Sequence, residues 1–276
     1  MVKVALIYDF DKTLCTKDMQ EYSLIPSLGY DNASKFWEEV TVLTQANHMD
    51  AIGAYLYTLH KKFKELGTPL HKSMFSDLGK DIVLYPGVET WFERVNKIGE
   101  ENGLEVEHYI ISSGMDEIIR GTSIAKYFKK IYACRYYYED DYAVWPAQIV
   151  NYTTKTQYIF RINKQVLDEN EDKDLNKYVE FKDRPIPFEH MIYIADGITD
   201  IPCMRLVKEY DGNAIAVYNE ESEKARLVAE SLIKDGRANY MAKANYEENS
   251  DMEDLIRKIF DSIKASLLLK ELEGIR

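Results

Sequence analysis

The run Val4-Ala5-Leu6-Ile7-Tyr8-Asp9-Phe10-Asp11-Lys12-Thr13-Leu14 constrains this chain more than any other stretch. An apolar, strand-like segment ends abruptly in two carboxylates and a hydroxyl at alternate positions. On an extended backbone, residues i, i+2 and i+4 share one side, so Asp9, Asp11 and Thr13 are expected to converge just past a strand tip. Open α/β sheets hold their ligands there. Two carboxylates this close repel unless a cation or a shared proton relieves them, which suits a hard metal ion beside a nucleophile and a proton donor. Lys12 is expected to alternate away from such a site.

After Leu14 the period changes. Ile52, Leu56, Leu59, Phe63 and Leu66 form a helical stripe. Phe36, Trp37 and Val40 begin another after the helix-start signal Asp31-Asn32-Ala33-Ser34. Gly67-Thr68-Pro69 breaks the second helix, and Tyr85-Pro86-Gly87-Val88 marks the exit from a helical block of some seventy residues. An amphipathic helix carrying Trp91, Val95 and Ile98 follows. Strand character returns at 106–111 and ends in Ser112-Ser113-Gly114. A short helix from Met115 and a hairpin over 131–152 come next, then a helix from Thr153 or Thr154 to about Leu167. The charge-rich stretch 168–190 reads as a solvated surface insert. Strand 191–195 ends at Asp196-Gly197-Ile198-Thr199-Asp200. Helix 201–209, strand 213–218, helix 221–234 and a last helix over about 251–271 complete the alternation. Such βαβ alternation around a split core predicts an α/β fold with a doubly wound, mostly parallel sheet.

Composition narrows the function. At 276 residues the chain has room for one large α/β domain, or for a core with an inserted lid. A formal net charge of −12 disfavours nucleic acid or an anionic membrane as partner. The three cysteines, Cys15, Cys134 and Cys203, are too few and too scattered for a disulfide framework or a zinc cluster. With no leader and no apolar run near the ~20 residues that span a bilayer, the expected location is cytoplasmic.

Polar residues suited to one reaction sit at successive strand ends and at one helix start. Asp9 and Asp11 follow the first strand, Ser113 the second, Lys155 opens a helix, and Asp196 and Asp200 follow a later strand. In a parallel sheet all strand C-termini share one edge, so these groups can meet. In this order the residues resemble the haloacid dehalogenase superfamily, and within it the phosphoserine-phosphatase-like branch. Asp9 to Leu14 matches the first family motif, Ile110 to Gly114 the second, Lys155 the third, and Asp196 to Met204 the fourth. Lys164 is an alternative for the third motif and Ser112 for the second.

The resemblance implies a Rossmann-like core over 1–14 and 86–276, with a helical cap over 15–85. It implies Asp9 as nucleophile forming an aspartyl-phosphate, and Asp11 as the acid that protonates the leaving oxygen and then activates water. Mg²⁺ would be held by Asp9, the Asp11 backbone carbonyl and Asp196, with Asp200 bracing. Ser113, Gly114 and Lys155 would bind the phosphoryl oxygens, Thr13 would hold the loop, and Asp18 would stand where the branch places a cap glutamate. The chain departs from that branch in one respect: there is no arginine before Arg94, hence none in the helical block to hold a substrate carboxylate. The expected activity is therefore a Mg²⁺-dependent phosphatase acting on a small phosphorylated metabolite other than phosphoserine. A phosphomutase or a catalytically weak binding protein of the same fold are the alternatives, and oligomeric state stays open.

Overall fold

The computed structural model describes residues 1–274. Strand β1 (Val2–Tyr8) is followed by a short turn of helix, α1 (Leu24–Ser27), and three longer helices, α2 (Ala33–Asn47), α3 (Ala51–Glu65) and α4 (Lys72–Leu78). Then come α5 (Val88–Glu101), β2 (Leu104–Met115), α6 (Asp116–Arg120) and the hairpin β3 (Phe128–Glu139) and β4 (Tyr142–Gln148). The second half runs α7 (Lys155–Lys164), α8 (Asp172–Asn176), β5 (Met191–Ala195), α9 (Ile201–Glu209), β6 (Asn213–Tyr218), α10 (Glu223–Lys234), β7 (Tyr240–Lys243) and α11 (Asp251–Leu272).

The seven strands form one sheet in the order β4-β3-β2-β1-β5-β6-β7, parallel except for the edge strand β4. This is the doubly wound α/β sheet expected from the alternation. The chain winds from β1 toward β3 on one side, then crosses to β5 and winds away. The switch point lies between β1 and β5, where such sheets open a crevice at the strand C-termini. Beyond the β1 tip, the Asp9 N–H still donates to the Ile194 carbonyl of β5 at 3.0 Å, which fixes Asp9 at that crevice.

The sequence chemistry explains the helix starts. Asn32 accepts from the Lys35 N–H, Asp50 from those of Ile52 and Gly53, Ser222 from Ala225 and Ser250 from Glu253. Each side-chain oxygen satisfies an N–H that has no partner inside its helix.

A buried polar chain ties α5 to the central strands. Trp91 Nε1 donates to Tyr8 Oη at 2.9 Å, Tyr8 Oη lies 3.1 Å from His108 Nδ1, and His108 Nε2 lies 2.9 Å from Asn96 Oδ1. A neutral imidazole offers one donor and one acceptor nitrogen, which matches these two partners. His108 is neutral, and burial lowers its pKa to about 3.

Several sequence expectations are corrected. Strand β2 continues through Ser112-Ser113-Gly114 to Met115 instead of stopping at Ile111, with a register shift against β3 between Ile111 and Met115. The second hairpin strand ends at Gln148, short of Tyr152. Helix α7 ends at Lys164, because Gln165 turns to φ 56° and its N–H closes on the Arg161 and Ile162 carbonyls. Strand β7 was not expected; it has four residues and only Ala242 among them is buried. The stretch 168–190 is mostly exposed, yet Ile186 and Phe188 are core residues and the buried Arg161 holds the Asp168 and Glu169 carbonyls.

Candidate active site

The residue before the crevice is built by a break in β1. Strand geometry stops at Tyr8, and Lys12 adopts φ 55°, so 9–13 form a tight loop instead of an extended run. Alternation therefore fails as a guide here. Lys12, expected to point away, lines the crevice and forms an ion pair with Asp18. Thr13, expected to share a face with Asp9 and Asp11, does not line the crevice: it is fully buried beneath the loop and its carbonyl accepts from Tyr246 Oη at 2.8 Å. The Thr13 hydroxyl has no partner among the described residues.

A cavity of about 550 Å³ joins the strand tips to the helices between β1 and α5. From the sheet side it is lined by Asp9, Asp11, Ser113, Lys155 and Asp196, and from the other side by Asp18, Gln20, Trp37, Thr44 and Tyr55, among others. A larger cavity of about 820 Å³ lies beside Gly79–Gly87 and Gly121–Ser123, but its charged lining is limited to Lys80 and Glu89. The smaller cavity holds the chemistry.

Lys155 is the hub. Only 1% exposed, its Nζ donates to Asp9 Oδ1 at 3.0 Å and to Asp200 Oδ1 at 2.8 Å. Burial disfavours the ammonium, but the charges of Asp200 and Asp9 outweigh it and hold the pKa above its usual value. Lys164, the alternative, donates to the carbonyls of Leu175 and Lys177 and is remote from the cavity. Asn151 presents Lys155: its side-chain carbonyl accepts from the Thr153 and Thr154 N–H groups, and its backbone carbonyl from that of Lys155.

Of the two serines, Ser112 turns inward and its hydroxyl accepts from the Gly114 N–H at 3.0 Å, while Ser113 lines the cavity with its hydroxyl unpartnered among the described residues. Gly114 itself is not in the lining. A Cβ there would stand 2.1 Å from the Met19 Cε, so Gly114 packs against the Met19 side chain, and a larger residue would require that flexible tip to shift.

Asp200 is fully buried behind the cavity, bonded to Lys155, to the Tyr193 hydroxyl and to Thr199 Oγ1 at 2.8 Å. Tyr193 went unrecognised in the sequence, although it stands two residues before Ala195 on the same strand face. One carboxylate oxygen from each of Asp9, Asp196 and Asp200 lies within 4.8 Å of the others. Burial first, then Asp9 and Asp200, push Asp196 up to about 8; burial, against the opposing pull of Lys155, holds Asp9 at about 7. Three converging carboxylates with one ammonium lack positive charge, and an all-oxygen donor set of this kind suits a hard divalent cation.

The Asp11 side chain lies apart from that trio. Its Oδ1 accepts from the Met19 N–H at 2.8 Å. Burial and the neighbouring charges of Asp18 and Asp9 raise its pKa well above the carboxylate range, favouring the protonated acid.

With this geometry in hand, comparison with known proteins is decisive for the family. The family model described as haloacid dehalogenase-like hydrolase matches residues 6–205, which contains every residue of the constellation. The chain belongs to the haloacid dehalogenase-like hydrolases. It is 29% identical over 280 residues to an uncharacterized protein of Borreliella burgdorferi, covering 90% of this chain and 93% of that one. Among solved structures it resembles the HAD family hydrolase t0658 of Salmonella enterica serovar Typhi, with 16% identity and a TM-score of 0.54 over 86% of this chain and 66% of that one. It also resembles a phospho-aspartyl intermediate analogue of phosphoserine phosphatase, with 15% identity and a TM-score of 0.53 over 94% and 99% of the two chains. The likeness to these two is one of fold. No described helix of this haloacid dehalogenase-like hydrolase is long and apolar enough to cross a membrane.

Proposed function

We propose that this hydrolase is a phosphatase that cleaves a small phosphomonoester through an aspartyl-phosphate on Asp9, with Mg²⁺ and with residues 15–85 acting as a cap over the leaving group. The observation that carries the reading is the buried Lys155 ammonium bridging Asp9 and Asp200 beside the Ser113 hydroxyl, which has no partner among the described residues. That is an anion-binding pair set against a nucleophile.

In this scheme Lys155 and Ser113 hold the phosphoryl oxygens and keep phosphorus in line with Asp9. An Asp9 oxygen bonds to phosphorus as the bond to the leaving alcohol breaks, and Asp11 passes its proton to that alcohol. Asp11, now ionised, takes a proton from a water that attacks phosphorus. The Asp9–phosphorus bond breaks and inorganic phosphate leaves. The raised pKa of Asp11 suits the first step, and its hydrogen bond to the Met19 N–H steadies the carboxylate left for the second. Asp9 and Asp196, with Asp200 behind them and the Asp11 carbonyl, would hold Mg²⁺. When bound, the ion would neutralise phosphoryl charge and favour the ionised form of Asp9.

Turnover of an aryl phosphate, with and without Mg²⁺, tests this. The wild type is expected to be active only with the ion, and Asp9→Asn to lose at least about a thousandfold in kcat. Substantial activity in Asp9→Asn would falsify the covalent step.

A further inference from the structure

The phosphoryl-binding residues see only what all phosphomonoesters share, so selectivity belongs to the other half of the cavity. Two residues lining that half each hold a buried polar atom with no partner among the described residues, Gln20 Oε1 and Thr44 Oγ1. Gln20 is 3% exposed and sits in the turn Met19–Glu21, next to the residue whose N–H holds Asp11. Its Nε2 donates to Tyr55 Oη at 3.1 Å, which holds the amide and leaves the carbonyl oxygen idle. Were the amide turned over, Tyr55 would donate and the idle group would be the –NH₂. In either orientation one neutral hydrogen-bonding group is unmet. Thr44 differs from its helical neighbours. Thr41 and Thr58 return their hydroxyls to the carbonyls of Trp37 and Ala54 at 2.8 Å, while Thr44 makes no such bond.

Charge excludes one class of ligand. Among the described residues, the cations lining the cavity are Lys12, paired with Asp18, and Lys155, which bridges Asp9 and Asp200 at the phosphoryl end and not at the leaving group. A carboxylate or second phosphate on the leaving group would enter beside Asp11 and Asp18 with no cation to meet it. A quaternary ammonium would avoid that repulsion and find Trp37 and Tyr55. Those rings pack on each other at 5.7 Å, however, and a methylated cation would leave both Gln20 and Thr44 unpaired.

We infer that the half of the cavity away from the strand tips takes a neutral, hydroxyl-bearing leaving group, the alcohol part of a phosphorylated polyol or monosaccharide, and that Gln20 is the residue that selects it. The inference rests on the phosphatase reading for the phosphoryl end only. The hydroxyl next to the ester oxygen would meet the Gln20 amide, and a second would meet Thr44.

Calorimetric binding to Asp9→Asn with Mg²⁺ tests it, using glycerol phosphate, glucose 6-phosphate, phosphoserine, phosphocholine and inorganic phosphate. At least one of the two hydroxylated esters is expected to bind at least ten times tighter than phosphoserine and phosphocholine. Adding Gln20→Met, or independently Thr44→Val, should lower that ester's affinity relative to inorganic phosphate by at least fivefold. Phosphoserine or phosphocholine binding as tightly as the hydroxylated esters would overturn the inference, as would weak binding of all four esters. A Gln20→Met loss equal for ester and inorganic phosphate would also overturn it, since that marks a structural role. Failure of the wild type to hydrolyse any phosphomonoester would instead remove the phosphatase reading, and the binding ranks would still decide the subsite.

Discussion

At the scale of single residues, the site is an exercise in charge under burial. Lys155 stands between two buried carboxylates, so replacing it removes their common counter-charge. Lys155→Met is expected to lose about 3 kcal/mol or more of stability, together with activity. Chemical denaturation of this variant beside Lys155→Arg would show it; a fully stable Lys155→Met would mean that the carboxylates simply take up protons. Asp196 and Asp200 should separate in a Mg²⁺ titration. Asp196 lines the cavity, whereas Asp200 is already bonded to Lys155, Tyr193 and Thr199. Asp196→Ala is expected to raise the Mg²⁺ requirement beyond the ~10–100-fold typical of an outer support, and Asp200→Ala to stay within it. The reverse ranking would exchange their roles. His108 supplies a pH effect away from the site. It is neutral in the fold, with its pKa depressed to about 3, so the unfolded chain binds the extra proton below about 6.5. Its contribution is complete above that pH and is lost as pH falls toward 3. Between pH 7.5 and 5 this amounts to about 2 kcal/mol. The difference in urea midpoint between those pH values should shrink in His108→Gln; an unchanged difference would assign the pH dependence to other groups.

Among elements, the contact that matters joins α3 to the loop before α7, whose first residue is Lys155. Asp50 caps α3 through Oδ1, and its Oδ2 accepts from Asn151 Nδ2 at 2.8 Å. Asn151 in turn organises the start of α7. One aspartate thus links the position of α3 to that of the ammonium. Asp50→Ala is expected to cost about 1 kcal/mol from the lost cap, a fall of about 2–4 °C in Tm. Asp50→Ser can restore the cap but is too short to reach Asn151. If the link positions α3, Asp50→Ala should also raise KM, and Asp50→Ser should regain stability while KM stays raised. Full recovery of both would reduce Asp50 to a helix cap.

For the molecule as a whole, the sheet gathers charges that the chain scatters over nearly two hundred residues. Lys155 offsets only part of the charge that Asp9, Asp196 and Asp200 bring together, so the ion should stabilise the fold as well as serve turnover. At about a hundred times its Kd, Mg²⁺ is expected to add about 2.7 kcal/mol. Thermal unfolding with Mg²⁺ or EDTA would register it, and Asp196→Asn should abolish the gain. Equal gain in that variant would place the ion elsewhere.

Much of this was readable in the linear chain, because it depends on local physics. A period of two or 3.6, an Asn or Ser before an apolar stripe, and a strand ending in acids are all visible over a few residues. The order of those signals fixed a doubly wound sheet and brought Asp9, Ser113, Lys155 and Asp196 to one edge. The tertiary structure alone decided what depends on neighbours distant in sequence. Lys12 faces the cavity, and Thr13 does not, because the loop turns at a positive φ that alternation cannot anticipate. Gly114 proved to be the seat for Met19, ninety-five residues earlier, not part of the cavity wall. Gln20 and Thr44 look like ordinary polar residues of a helical block until packing buries them against the cavity without partners. Whether a polar atom is satisfied is a property of its surroundings, and those exist only once the chain has folded.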